Sequence, residues 1–208
     1  MIRFLAISLL SIFVFTSCSL KTTEGLRQVH FNKAEVENLY FSNPEIDYVY
    51  KAKIEIYKKN FGGILIIKKI GPESHRVVFT TEFGSKLFDF QFEGDTFTKH
   101  FVVEDLDKKF IINILKDDFK LLVNESAMVL AVYESKTQRV YKTQNEEQFN
   151  FYFFEDRQEK LEKIVNTSKT KERVEIAFTS SMGKIADTIS IKHNNIKLKI
   201  DLEKFKEE

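Results

Sequence analysis

The chain has 208 residues, 43% hydrophobic and 30% charged, enough for one sizeable core and too little for two large domains. Its formal net charge is +1, with acids and bases mixed along the whole length, so no basic face points to nucleic acid as a partner. Twenty-one Phe and seven Tyr against two Pro and seven Gly favour aromatic-rich strands over loops or disorder.

Met1-Ile2-Arg3 supplies a positive start, Phe4 to Phe15 an apolar run, and Thr16-Ser17-Cys18 small residues ahead of a cysteine, the order of a secretory signal. The run is roughly 12 residues long, short of the roughly 20 that a membrane-spanning helix needs. The stretch ending at Cys18 resembles a bacterial lipobox. That resemblance implies a lipoprotein signal peptide over residues 1–17 and a lipidated tether over 18–28. Cys18 then carries a diacylglycerol on its thiol and an acyl chain on the new amino terminus, and more than one chain is what stable anchoring requires. An ordinary cleaved signal and an uncleaved anchor are the alternatives. Cys18 is the only cysteine, which excludes an intramolecular disulfide. Neither an Asp beside Cys18 nor an acidic cluster follows it. By resemblance to the sorting rules of proteobacterial and Bacteroidota lipoproteins, the expected place is the outer membrane, facing the periplasm.

Farther along, Asn32 with Glu35 three residues later forms a capping-box pattern ahead of Val36 and Leu39 and predicts a short helix, ended by Pro44. "DYVYKAKIEIY" alternates, with Tyr48, Tyr50, Ala52, Ile54 and Ile56 on one face. "GGILIIKKI", "HRVVFTTEF" and "KLFDFQFEG" follow as strands of an antiparallel meander, the last placing Phe88, Phe90 and Phe92 on one side. In "EDLDKKFIINILKDDFKLLV" the acids Glu104, Asp105 and Asp107 suit a helix N-terminus. Phe110, Ile111, Ile114, Leu115, Phe119 and Leu122 recur on one helical face, apolar enough to be buried against a sheet. Seven short strands then run to the C-terminus, the last with Ile196, Leu198, Ile200 and Leu202 inward and one sheet face solvated. About a dozen strands around one long helix, with few helical crossovers, argue against a parallel sheet.

Motif-borne chemistry is sparse. There is no phosphate loop, dinucleotide fingerprint, nucleophile elbow or HExxH zinc motif. Gly62-Gly63 reads as a turn or bulge. His30, His75, His100 and His193 have no ligand spacing and read as solvated turn residues, and Asp117-Asp118 as surface charges. No catalytic residue, metal or cofactor is expected, and the chain is read as a non-enzyme. Asp187-Thr188-Ile189 resembles a Bacteroidota O-glycosylation site. The Phe-rich inward faces either pack solid or leave a cavity for an acyl chain.

"VVFTTEFGSKLFDF", residues 77–90, puts Phe83 at a hairpin turn, immediately before Gly84. Turns are normally polar. With the signal, the meander, the long apolar helix and the second meander, this stretch resembles the LolA/LolB family, and most closely the outer-membrane lipoprotein receptor LolB. The resemblance covers residues 29–208. It implies a mainly β fold with a few helices, an incomplete (half) antiparallel β-barrel wrapped around an apolar helix. It also implies a monomer that accepts acyl chains of lipoproteins from a periplasmic LolA-like carrier and inserts the cargo into the outer membrane. Phe83 and Gly84 would form the membrane-inserting loop. Ile54, Ile56, Phe88, Phe90, Phe92, Phe110 and Ile114 would wall the hydrophobic cavity. Two readings stay beside this one: Phe83 folded back onto the rim, and a structural accessory lipoprotein of an outer-membrane assembly or transport complex.

Overall fold

The computed structural model describes residues 20–145, 147–155, 160–181 and 183–205. The signal segment 1–17 and Cys18 lie outside the described residues. Among the described residues fourteen strands run in chain order: β1 (Arg27–Val29), β2 (Glu35–Glu37), β3 (Asp47–Ile56), β4 (Lys59–Gly71), β5 (Ser74–Thr80), β6 (Lys86–Glu93), β7 (Thr96–Val102), β8 (Ser126–Glu134), β9 (Gln138–Asn145), β10 (Gln148–Glu155), β11 (Lys160–Thr167), β12 (Glu172–Thr179), β13 (Thr188–His193) and β14 (Leu198–Lys204). One α-helix, α1 (Lys109–Val123), stands between β7 and β8.

All pairings are antiparallel, and the strands form one sheet in the order β1-β8-β9-β10-β11-β12-β13-β14-β3-β4-β5-β6-β7. The sheet is not closed: β7 is one edge, and β1 and β2 both pair along β8 at the other. The runs β3 to β7 and β8 to β14 each pair in chain order through short connections, and β14 pairs with β3 to join the two meanders.

Period-two patterning places the core. Tyr48, Tyr50, Ala52, Ile54 and Ile56 of β3 are buried, and Val77, Phe79, Phe88 and Phe90 continue the same core across β5 and β6. α1 buries Ile111, Ile112, Leu115, Phe119, Leu122 and Val123. The Phe119 ring lies 5.6 Å from that of Phe88 in β6, while Asp118 reaches His193 in β13. The helix therefore touches strands separated in the sheet by β14, β3, β4 and β5.

Three expectations are corrected and one strand was not anticipated. Residues 35–37 form strand β2, because the free edge of β8 offers pairing that a short helix cannot match: Glu35 pairs with Met128 and the Val129 N–H donates to the Ala34 carbonyl. Glu104, Asp105 and Asp107 precede the helix; Asp105 pairs with Lys59 and Asp107 with Lys99. Residues 20–28, expected as a tether, are packed. Leu20 and Leu26 lie on a second apolar cluster of Val140, Phe151, Phe153 and Val165, and the Thr22 hydroxyl donates to Glu172 at 2.7 Å. The second face of β9 to β11 therefore carries an apolar patch that the N-terminal segment covers. Finally, "TFTKHFV" forms edge strand β7, which its mostly exposed pattern does not mark in the sequence.

Candidate functional site

The turn between β5 and β6 builds the candidate site. The Gly84 N–H donates to the Thr81 carbonyl at 3.0 Å, and the Ser85 N–H donates to the Thr81 hydroxyl at 3.1 Å. Gly84 has φ +84°, the left-handed geometry that ends a three-residue hairpin loop and that favours glycine. The loop thus ejects Phe83, which is 98% exposed. It does not fold back onto the sheet.

The stem of this hairpin is braced by charge. Asp89 in β6 is almost wholly buried and accepts two hydrogen bonds from Arg76 of β5, at 2.8 and 2.9 Å, and one from Lys86 at 2.6 Å. The Arg76 guanidinium leads in holding its carboxyl down to about 2, against the ordinary 3.8, with burial opposing. A depressed carboxyl stabilises the fold fully above its unfolded pKa and loses that contribution as pH falls through the folded one. Asp89→Asn is therefore expected to lose about 2 kcal/mol at pH 7. In urea denaturation the gap from wild type should close as pH falls from 4 to 2; a gap that stays constant would show that the charge is not its source.

The expected cavity walls take other roles. Ile54, Ile56, Phe88, Phe90 and Phe92 are together in the core, with Phe88 and Phe90 stacked at 4.6 Å and Phe92 5.5 Å from Phe97. A cavity wall keeps surface that water could touch, and Ile54, Phe88 and Phe90 keep none. These residues are interdigitated, as dense interiors are. Ile114 is half-buried against the same core. Phe110 is 50% exposed, with its ring 6.3 Å from that of Tyr57, because the buried stripe of α1 is centred on Ile111, Leu115 and Leu122 and leaves Phe110 on its flank.

A cleft of about 600 Å³ is lined instead by β3, β4, β13 and β14, with Ala52, Phe61, Gly63, Ile189 and Leu202 beside the charged Lys51, Lys53, Asp201 and Glu203. Glu82 of the Phe83 turn lies on its wall. Its volume falls in the range of small-molecule sites. Sequence reasoning missed it; the small pair Ala52 and Gly63, directly opposed in the ladder, was the available signal.

Two of the four histidines have their rings withdrawn from water, against expectation. The His75 ring nitrogen lies 3.0 Å from the Phe41 carbonyl, and desolvation leads in lowering its pKa. His193 Nε2 lies 2.8 Å from Asp118 Oδ2, and Asp118, expected on the surface, is 2% exposed; burial pushes its carboxyl up and His193 opposes the shift. Thr188, in the three-residue Asp-Thr-Ile pattern, is exposed and its hydroxyl lies 2.7 Å from that of Thr179. Among the described residues no group of three or more His, Cys, Asp or Glu could hold a metal ion, and no helix is long and apolar enough to cross a membrane. No family model matches the chain, and no curated protein matches it.

Proposed function

We propose that the chain is a non-catalytic, LolB-like lipoprotein, anchored in the outer membrane through acyl chains on Cys18 and facing the periplasm. It would receive acylated lipoproteins from a LolA-like carrier and place them in the outer membrane, acting as a monomer without cofactor. On this reading the open sheet is a half-barrel wrapped around α1. The observation that carries it is Phe83: a large ring held fully in water by a tight turn, which contributes nothing to the core and is suited to enter a bilayer. Burying such a ring is worth about 1.5–3 kcal/mol. The cleft that Glu82 borders supplies a place for an acyl chain beside that wedge, and hand-over from cleft to bilayer needs no covalent step.

A lipoprotein transfer assay with the lipidated chain in acceptor vesicles, together with extraction of bound lipid, tests the reading. Phe83→Glu is expected to bind cargo as wild type does and to deliver it about tenfold more slowly, the loss expected when the ring's burial is replaced by a charge. Equal delivery by both proteins, with no lipid extracted, would overturn it. The packed core favours one second reading, an accessory lipoprotein that holds a protein partner, for which the uncovered edge of β7 offers a strand.

A further inference from the structure

Antiparallel register gathers one set of turns at one end of the sheet: those after β3, β5, β11 and β13. Phe83 is there, and so is a second aromatic pair. Tyr57, in the two-residue turn after β3, is 57% exposed and adopts φ +54°. A non-glycine residue in that region is strained, and Tyr57, more than half exposed, recovers little of that cost by burial. Its ring faces that of the half-exposed Phe110, and its N–H donates to the Lys197 carbonyl at 2.8 Å. Lys58 and Lys109 are the chain neighbours of Tyr57 and Phe110, and Lys197 supplies the carbonyl that Tyr57 bonds; all three are exposed and without ion-pair partners among the described residues. The nearby acids Asp105 and Asp107 are matched by Lys59 and Lys99, which leaves Glu82 and Glu104 as unmatched acids in these segments.

The N-terminal segment reaches the same end. Thr22 is bonded to Glu172, the first residue of β12, beside the turn after β11. Cys18 is two residues from Leu20, so extended chain separates them by at most about 7 Å. An acyl anchor on so short a lead cannot let the domain tumble freely.

We infer that this end of the sheet is held flat against the bilayer that carries the anchor, with Tyr57 and Phe110 as a second apolar contact beside Phe83 and Lys58, Lys109 and Lys197 on anionic headgroups. The packed segment from Leu20 to Val29 acts as a strap that fixes this orientation. Aromatic rings with a polar tip and lysines are the side chains suited to the membrane interface. The inference rests on the anchored, Phe83-inserting reading above and adds a face and a geometry to it.

The chain has no Trp, so Tyr57→Trp, Phe83→Trp, Phe110→Trp and, at the opposite end, Ile70→Trp each introduce a sole reporter. The lipidated full chain is placed on vesicles of phosphatidylethanolamine and phosphatidylglycerol, with and without brominated acyl chains. Quenching at 57, 83 and 110 is expected to exceed that at 70 by about twofold or more, the contrast between interface and water. Quenching at 83 alone would sink the second contact and leave the wedge standing; quenching at none of the three would sink both. Tyr57→Gly controls for folding. Relief of the strained φ should hold or raise the thermal midpoint, while quenching of the reporter in Phe110→Trp falls when Tyr57→Gly is added. A lowered midpoint would instead make Tyr57 a folding residue. Leu20→Ser with Leu26→Ser should leave the protein membrane-bound but reduce quenching at all three sites; unchanged quenching would refute the strap.

Discussion

Gly63→Ala is expected to destabilise the protein by about 3 kcal/mol or more, whereas Gly62→Ala next to it is expected to be neutral or stabilising by about 0.5–1 kcal/mol. A Cβ on Gly63 would stand 1.9 Å from the Thr80 carbonyl oxygen, 2.9 Å from its carbon and 3.1 Å from Thr81 Cα. All three are backbone atoms, so no rotamer change relieves the overlap and the end of β5 must move. A Cβ on Gly62 meets nothing within 4 Å, and replacing a strand glycine there reduces the entropy lost on folding. For a chain of this size each kcal/mol shifts the thermal midpoint by about 2–4 °C, so the two variants should separate by about 10 °C or more. Similar midpoints would mean that the close approach of β4 to Thr80 is not a constraint. Because Thr81 anchors all three hydrogen bonds of the Phe83 turn, any folded fraction of Gly63→Ala should also insert its wedge less well.

What the sequence made legible was what local periodicity controls. The alternation of β3 and β6 correctly grouped Ile54, Ile56, Phe88, Phe90 and Phe92 on one buried face, and the helical period marked α1. It could not say whether that face encloses space, since packing depends on how side chains from distant strands meet. The misread elements share a cause: a partner far away in the chain. Val36 became part of a strand through β8, some 90 residues on. Leu20 and Leu26 are too widely spaced to announce an element, and they were captured by the second apolar face of β9 to β11. That face was visible in the nearly unbroken run Phe149 to Phe154, which suits a strand covered on both sides. Asp118 looked like a surface charge because its partner His193 lies 75 residues away. The Phe83 turn was legible for the opposite reason, being wholly local: Thr81, Gly84 and Ser85 make all its bonds.

Asp118→Ala and His193→Ala are each expected to cost about 3–5 kcal/mol, the range for removing one member of a buried pair and leaving the other without compensation. The two side chains are almost wholly shielded from water and bonded at 2.8 Å, and they tie the middle of α1 to the end of β13. The same physics makes the pair dispensable as a unit. Replacing both by well-packed apolar side chains removes two desolvation penalties together, so Asp118→Leu with His193→Leu should cost far less than the sum of Asp118→Leu alone and His193→Leu alone, and chemical denaturation of that cycle should give a coupling of about 2 kcal/mol or more. Additive losses would mean that the partners are stabilised separately, for instance by water in place of each other. A strong coupling identifies this contact as the specific latch between helix and sheet. On the acceptor reading the apolar double variant then asks a functional question, because it keeps the helix seated while removing the polar contact: normal cargo delivery would assign the latch to folding alone, and loss of delivery with full stability would require the helix to leave β13 during uptake.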